Sequence, residues 1–205
     1  MAVAVLALAP GLLGASCQKR VAVDHFPPGA LQVGYVAAAN YTDCLVASVV
    51  MCANYVRGSE WCSAARLRSE LTAAGKDPAL TGDMRSWLAG RNITMIALRG
   101  ELSDAQPTGL GWWVRQRGYP VTCVVNRHAG KADYNHAVVV IGIDARGATA
   151  DAEAVYVLDP ASPKRLERWD RLSFEHYWGS GGSVMLPLFE TPGRGTPAMP
   201  TGARS

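Results

Sequence analysis

The stretch HAVVVIGI, residues 136–143, decides the fold. Seven apolar or small residues follow a histidine without a polar break, over the length of a strand. A run of that kind is buried on both faces. A polar turn, 144–153, leads into VYVL at 155–158, a second strand that Asp159-Pro160 ends. Upstream, PVTCVV at 120–125 is β-rich. Residues 183–188 read as a last strand, and 93–98 alternate as a strand would.

Nearer the N-terminus the period changes. Between Asp43 and Val56, residues Leu45, Val46, Val49, Val50, Ala53 and Val56 recur at three and four, the helical spacing. Thr42 or Asp43 can cap this helix and Gly58 ends it. Residues 62–74, stopped by Gly75, and 81–89, stopped by Gly90, read as two more helices. Residues 107–117 read as a fourth, carrying Trp112 and Trp113. Helices first and antiparallel strands after is the segregation of an α+β domain. There is no GxGxxG or GxxxxGK[ST] loop to cradle a phosphate, and no internal repeat.

A chain of 205 residues suits one well-cored domain with tails. The net charge of +3 is small, and the basic residues are scattered without interleaved aromatics, which argues against nucleic acid as a partner. The five cysteines form no CxxC pair and no Cys/His spacing of a zinc site, so neither metal nor cofactor is expected.

Residues 2–14, AVAVLALAPGLLG, are too short for a spanning helix, which needs about 20 residues. They have the length and the small-residue exit of a secretory signal core. Residues 1–20 are therefore expected to be signal-like, and the protein exported or associated with the cell envelope; a cytoplasmic location is the alternative. Cys17 follows the apolar core as in a bacterial lipoprotein signal, although Gly14 stands where a large aliphatic is usual. The only membrane contact expected is a lipid at Cys17. Residues 190–205 are rich in Pro, Gly and Thr and are expected to be disordered, which leaves 21–189 as the domain. In an exported protein Cys52 and Cys62 are candidates for a disulfide; two free thiols are the alternative.

A thiolate nucleophile needs a depressed pKa, a base within reach and a group that orients the base. The first turn of a helix favours negative charge, and Cys44 falls there. Cys52 lies two turns deeper, and Cys123 lies mid-strand as a core cysteine. His136 heads the buried strand. In a hairpin the first residue of one strand lies opposite the last of the next, so His136 and Asp159 share one end of the sheet. Cys44, His136 and Asp159 therefore make a candidate triad. His128 reads as a solvated loop residue, and His25 and His176 as structural or surface residues. Trp169, Tyr177 and Trp178 are expected to pack behind the strands.

Asp43-Cys44 opening an apolar helix, HAVVVIGID at 136–144 and VYVLDPA at 155–161, in this order, resemble the bacteriocin-leader-processing (double-glycine) peptidases and their free-standing relatives, which are papain-like cysteine peptidases. The resemblance runs from about Val33 to Leu188 and takes in Gly82-Asp83 and GYPVTCVV. It implies a papain-like α+β fold with N-terminal helices packed on an antiparallel sheet. It also implies a peptide or protein substrate, Cys44 as nucleophile, His136 as its base and Asp159 as the group that orients the histidine. Two positions depart from the family. Leu45 stands where glycine is usual, and Ala38 where a glutamine helps hold the oxyanion. Losing one such donor costs about a hundred- to a thousand-fold in rate. Gln32 is too far upstream to replace it. Asn40 is the nearest amide and the oxyanion candidate, with the Cys44 backbone N–H as second donor. Three readings follow: a Cys-His-Asp peptidase or related thiol amidohydrolase, an inactive papain-like binding module, and a transglutaminase-like acyl transferase.

Overall fold

A computed structural model describes residues 20–58, 60–128, 135–144 and 153–191. Residues 1–19 of the signal-like stretch, with Cys17, and the tail beyond residue 191 lie outside the described residues; Arg20, placed in that stretch from sequence, starts a strand, and Glu190, placed in the tail, ends one. In chain order the elements are β1 (Arg20–Ala22), α1 (Cys44–Arg57), α2 (Ala64–Ala73), α3 (Thr81–Ala89), β2 (Ile93–Met95), β3 (Leu98–Arg99), a π-type helical turn (Trp112–Gln116), β4 (Val121–Asn126), β5 (Asn135–Asp144), β6 (Ala154–Leu158), β7 (Leu166–Asp170), α4 (Arg171–Ser180) and β8 (Val184–Glu190). The strands form one antiparallel sheet in the order β1-β7-β6-β5-β4-β8-β2, with β3 also on β8.

The expected α+β architecture is present, and the apolar run at 136–143 has a physical reason. Alternate residues of a strand face opposite sides, and both sides are covered. Ala137, Val139 and Ile141 pack with residues of α1, α2 and α3. Val138 and Val140 pack with Trp113, Trp169, Phe174 and Trp178. Trp169, Tyr177 and Trp178 thus lie behind the strands as expected, but β7 and α4, which carry them, are absent from the sequence reading.

Helix α1 is buried at every position from Cys44 to Ala53, since sheet and helices enclose it. A serine there needs a partner, and Ser48 Oγ donates to the carbonyl of Ala137 at 3.2 Å. The bond fastens the nucleophile's helix to the histidine's strand. Ser48→Ala is expected to cost about 1–3 kcal/mol by leaving a buried acceptor short of a donor. Urea unfolding measures this, and an unchanged midpoint would refute it.

Three expectations need correction. The strand read over 93–98 is one ladder in continuous register, from Met95 opposite Leu188 to Leu98 opposite Met185. It breaks into β2 and β3 because Pro187 lies between. Ile96 N–H donates to Pro187 O at 3.2 Å, but proline has no N–H to return the bond. The helix expected over 107–117 shortens to the π-type turn. Thr42 and Asp43 do not cap α1 through their side chains. Asp43 takes the N-cap position, but its buried carboxylate pairs with the Arg68 guanidinium, a stronger charge-assisted partner than a backbone amide.

Strand β5 carries a bulge: Val140 pairs with Val157 and Gly142 with Tyr156, so Ile141 is left over. Its carbonyl accepts from Leu31 N–H at 2.8 Å. Beyond the bulge Val139 pairs with Leu158, which brings the next residue of that chain, Asp159, to the histidine end of β5.

Candidate active site

Cys44 sits where a 3-10 turn, Tyr41–Asp43, passes into α1. Side-chain bonds to Thr42 help hold that turn. Asn40 Oδ1 accepts from Thr42 N at 3.0 Å and from Thr42 Oγ1 at 2.6 Å, and Arg68 Nη2 donates to Thr42 Oγ1 at 3.2 Å. The loop before it is tied to the turn after β6. Ala38 N–H donates to Pro160 O at 2.9 Å, and the Tyr35 hydroxyl is shared among the carbonyls of Asp159, Pro160 and Ser162, each at 3.2 Å. The chain that delivers the thiol thus rests on the chain that delivers the carboxylate.

His136, buried at the start of β5, meets Asp159 Oδ1 through Nε2 at 2.7 Å. The same oxygen accepts from Ala161 N–H at 3.0 Å, and Oδ2 pairs with the Arg127 guanidinium. Asp159 is fully buried. Burial opposes its charge, but His136, Arg127 and the Ala161 amide outweigh that and hold its pKa at about 2.

The other imidazole nitrogen, Nδ1, is buried and closes no hydrogen bond. Cys44 and His136 each shift the ionisation of the other. Burial of Cys44 works against ionisation; the hydrogen-bonding influence of His136 and the Ala137 and Leu45 backbone works for it and prevails, so its pKa lies below the ordinary thiol value. His136 shows the converse. Burial disfavours the imidazolium, but Asp159 and Cys44 together raise its pKa to about 9. The two thus favour each other's charged forms although no hydrogen bond closes at Nδ1.

The structure therefore brings Cys44, His136 and Asp159 together. Asn40 lies exposed at the edge, four residues before the thiol. Its amide oxygen is committed to Thr42, which leaves the amide nitrogen to donate. The remaining described cysteines are elsewhere. Cys52 lies against the Thr122 hydroxyl at 3.4 Å, and burial pushes its pKa up to about 12; burial also raises Cys123. All four described cysteines are free, so Cys52 and Cys62 are unpaired. His128 is exposed. No cluster of His, Cys, Asp or Glu among the described residues could hold a metal.

Sequence reasoning missed Arg127, Tyr35, Ser48 and Arg68. Arg127 had one positional signal: the residue just beyond β4 lies beside the start of β5, where Val125 pairs with His136.

No protein-family model and no curated protein matches this chain. Solved structures do. One is a double-glycine motif protease from an AMS/PCAT transporter, in complex with the leader peptide: TM-score 0.54, 16% identity, 80% of this chain and 96% of that one. Another is the peptidase domain of Streptococcus ComA, a bifunctional ABC transporter of a quorum-sensing pathway: TM-score 0.52, 17% identity, 76% of this chain and 96% of that one. The chain thus has the papain-like α+β fold of double-glycine peptidase domains.

Proposed function

We propose that this protein is a cysteine peptidase that hydrolyses a peptide bond with Cys44 as nucleophile. The observation that carries the reading is the buried Cys44–His136–Asp159 string, in which each group shifts the next towards its charged form. The Cys44 thiolate attacks the carbonyl carbon and forms a C–S bond. His136 passes its proton to the leaving amine, and the C–N bond breaks. Water, deprotonated by His136, then attacks the thioester and releases the acid, while Cys44 regains its thiolate. Asp159 holds the imidazole through Nε2, so that Nδ1 faces the sulfur. No metal or cofactor enters the scheme.

Peptides are the substrate class, and those with a double-glycine motif come first, because a neighbour in fold is a double-glycine motif protease bound to a leader peptide. Export, with a lipid on Cys17, is proposed on the apolar run at 2–14 and the cysteine after it. The test of activity is cleavage of a double-glycine peptide panel by the wild-type chain and by Cys44→Ala. Cleavage that Cys44→Ala abolishes supports the reading. A wild-type protein that binds such peptides without cleaving them favours the inactive binding module, and transfer to added amines in preference to water favours the acyl transferase.

Ala38 has no side chain to hold the oxyanion, and the role falls to Asn40. Its carboxamide is oriented by Thr42, so Asn40→Ala removes both a donor and a cap. Asn40→Asp keeps the cap and removes the donor. Both variants are expected to lose about a hundredfold or more in kcat, in the range of one oxyanion donor. If Asn40→Asp keeps its rate, the oxyanion is held elsewhere.

A further inference from the structure

Asp159 uses its two oxygens differently. Oδ1 serves His136 and the Ala161 amide, at 2.7 and 3.0 Å. Oδ2 is given over to Arg127 Nη2. Arg127 stands one residue beyond β4, beside the start of β5, and its guanidinium carbon lies 5.1 Å from the centroid of the Trp169 ring. That ring is fully buried and oriented in turn. Its Nε1 donates to Glu167 Oε2 at 2.8 Å, and Glu167 Oε1 accepts from Ser162 Oγ at 2.6 Å. Ser162 belongs to the turn that Asp159 opens: its amide donates to Asp159 O at 3.1 Å. The path from carboxylate to guanidinium to indole to Glu167 thus closes on itself.

We propose that Arg127 is a positioning residue of this site: braced on Trp169, it holds Oδ2 of Asp159 so that Oδ1 stays on the imidazole of His136. The inference rests on the Cys-His-Asp reading above and deepens it. Carboxylate torsions are broad, with weak intrinsic preference between orientations. A carboxylate held through one oxygen can turn, and its other oxygen would be buried without a partner. A guanidinium on that oxygen removes both faults, and its planar fork allows it to stack on the indole as it does so. The charges alternate along the string: thiolate, imidazolium, carboxylate, guanidinium. Three of these alone would leave one uncompensated negative charge in a buried site, and Arg127 brings the sum to zero. The further groups facing Asp159 are the Tyr35 hydroxyl on its carbonyl, and behind it Arg165, 5.4 Å from the Tyr35 ring centroid. Neither reaches Oδ2. Arg127 acts on Cys44 only through Asp159 and His136.

The alternative is that Arg127 merely neutralises a buried carboxylate, and the pH profile of Cys44 alkylation by iodoacetamide separates the two. The full chain is used as wild type, Arg127→Met, Arg127→Lys and His136→Ala, with folding followed by circular dichroism. Methionine keeps much of the length and the contact with Trp169 without the charge. In Arg127→Met, alkylation near pH ~6 is expected to fall about tenfold, as for a thiol pKa raised by about one unit. Alkylation near pH ~10 should stay unchanged, because there the thiolate forms without help. Arg127→Lys restores a cation without the fork and should recover to within about threefold of wild type. A folded Arg127→Met whose profile superimposes on a His136-dependent wild type overturns this inference alone. An ordinary thiol profile in the wild type, unmoved by His136→Ala, overturns the thiol-hydrolase reading and this inference with it. Should Arg127→Met fail to fold, Arg127→Gln replaces it with the same expectation. If both are unfolded while Arg127→Lys matches wild type at every pH, Arg127 is a stability element and the inference is overturned.

Discussion

His136→Ala is expected to lower peptide hydrolysis by about 10²–10⁴-fold, the usual contribution of a positioned acid–base group. The loss has a second signature in the thiol. In the wild type His136 and the local backbone overcome the burial that opposes ionisation of Cys44. With the imidazole gone, burial acts with less opposition, and the Cys44 pKa should rise towards or past the ordinary thiol value. Alkylation at neutral pH should therefore slow, while total loss of structure would speed it. The wild-type hydrolysis profile should be a bell. Its acid limb follows Cys44, below the ordinary thiol pKa, and its alkaline limb follows His136 at about 9. The same shift acts on stability. A histidine whose folded pKa is raised from 6.5 to about 9 contributes fully below pH 6.5, and the contribution disappears as pH rises through 9. A His136→Ala variant with unchanged thiol reactivity would remove the base from the scheme.

Asp159→Ala is expected to have the largest effect on stability, about 3–5 kcal/mol, the cost of breaking a buried ion pair from one side. The carboxylate is fully buried, and its removal strands the His136 imidazolium and the Arg127 guanidinium together. Chemical denaturation at neutral pH measures this. Its dependence on pH has a definite sign. A carboxyl whose folded pKa is depressed from 3.8 to about 2 contributes above pH 3.8 and loses that contribution as pH falls through 2. The gap between wild type and Asp159→Ala should therefore narrow in strong acid. Catalysis carries a separate mark. Asp159 is the first of the groups that raise His136, so the alkaline limb of activity should move from about 9 towards 6.5. An alkaline limb that stays near 9 in a folded Asp159→Ala or Asp159→Asn would show that another group sets the histidine.

Much of this site was legible in the sequence because each of its three residues stands at the end of an element with strong local signals. Cys44 opens an apolar helix, His136 opens a continuous apolar strand, and Asp159-Pro160 closes the next one. Arg127 left no such signal. It follows a strand in a polar stretch, and its partner lies 32 residues later. Strand β7 was hidden by its own chemistry. Glu167 is buried, so LERWD breaks the alternation that marks a strand; Ser162 and Trp169 hold its carboxylate there. Helix α4 had a readable start, since Asp170 Oδ1 accepts from Ser173 N–H at 2.8 Å, the Asp-x-x-Ser spacing of a cap. Its short aromatic body carries no clear period. The aromatic cover of the second face, Trp169, Tyr177 and Trp178, was expected behind the strands, but the elements that carry it were not.

Among the described elements strand β8 comes last in chain order, and it is not an edge. It enters the middle of the sheet, with β4 on one side and β2 and β3 on the other, and Leu186 and Leu188 complete the core under α1. During synthesis the helix that carries Cys44 emerges long before its floor is whole, and β4 waits with an unpaired edge. The nascent chain is most exposed to misassociation over this interval. That exposure ends when residues 184–190 pair with β4. A ribosome stalled between Pro160 and Val184 would hold Cys44, His136 and Asp159 already translated, on a sheet with a gap at its middle.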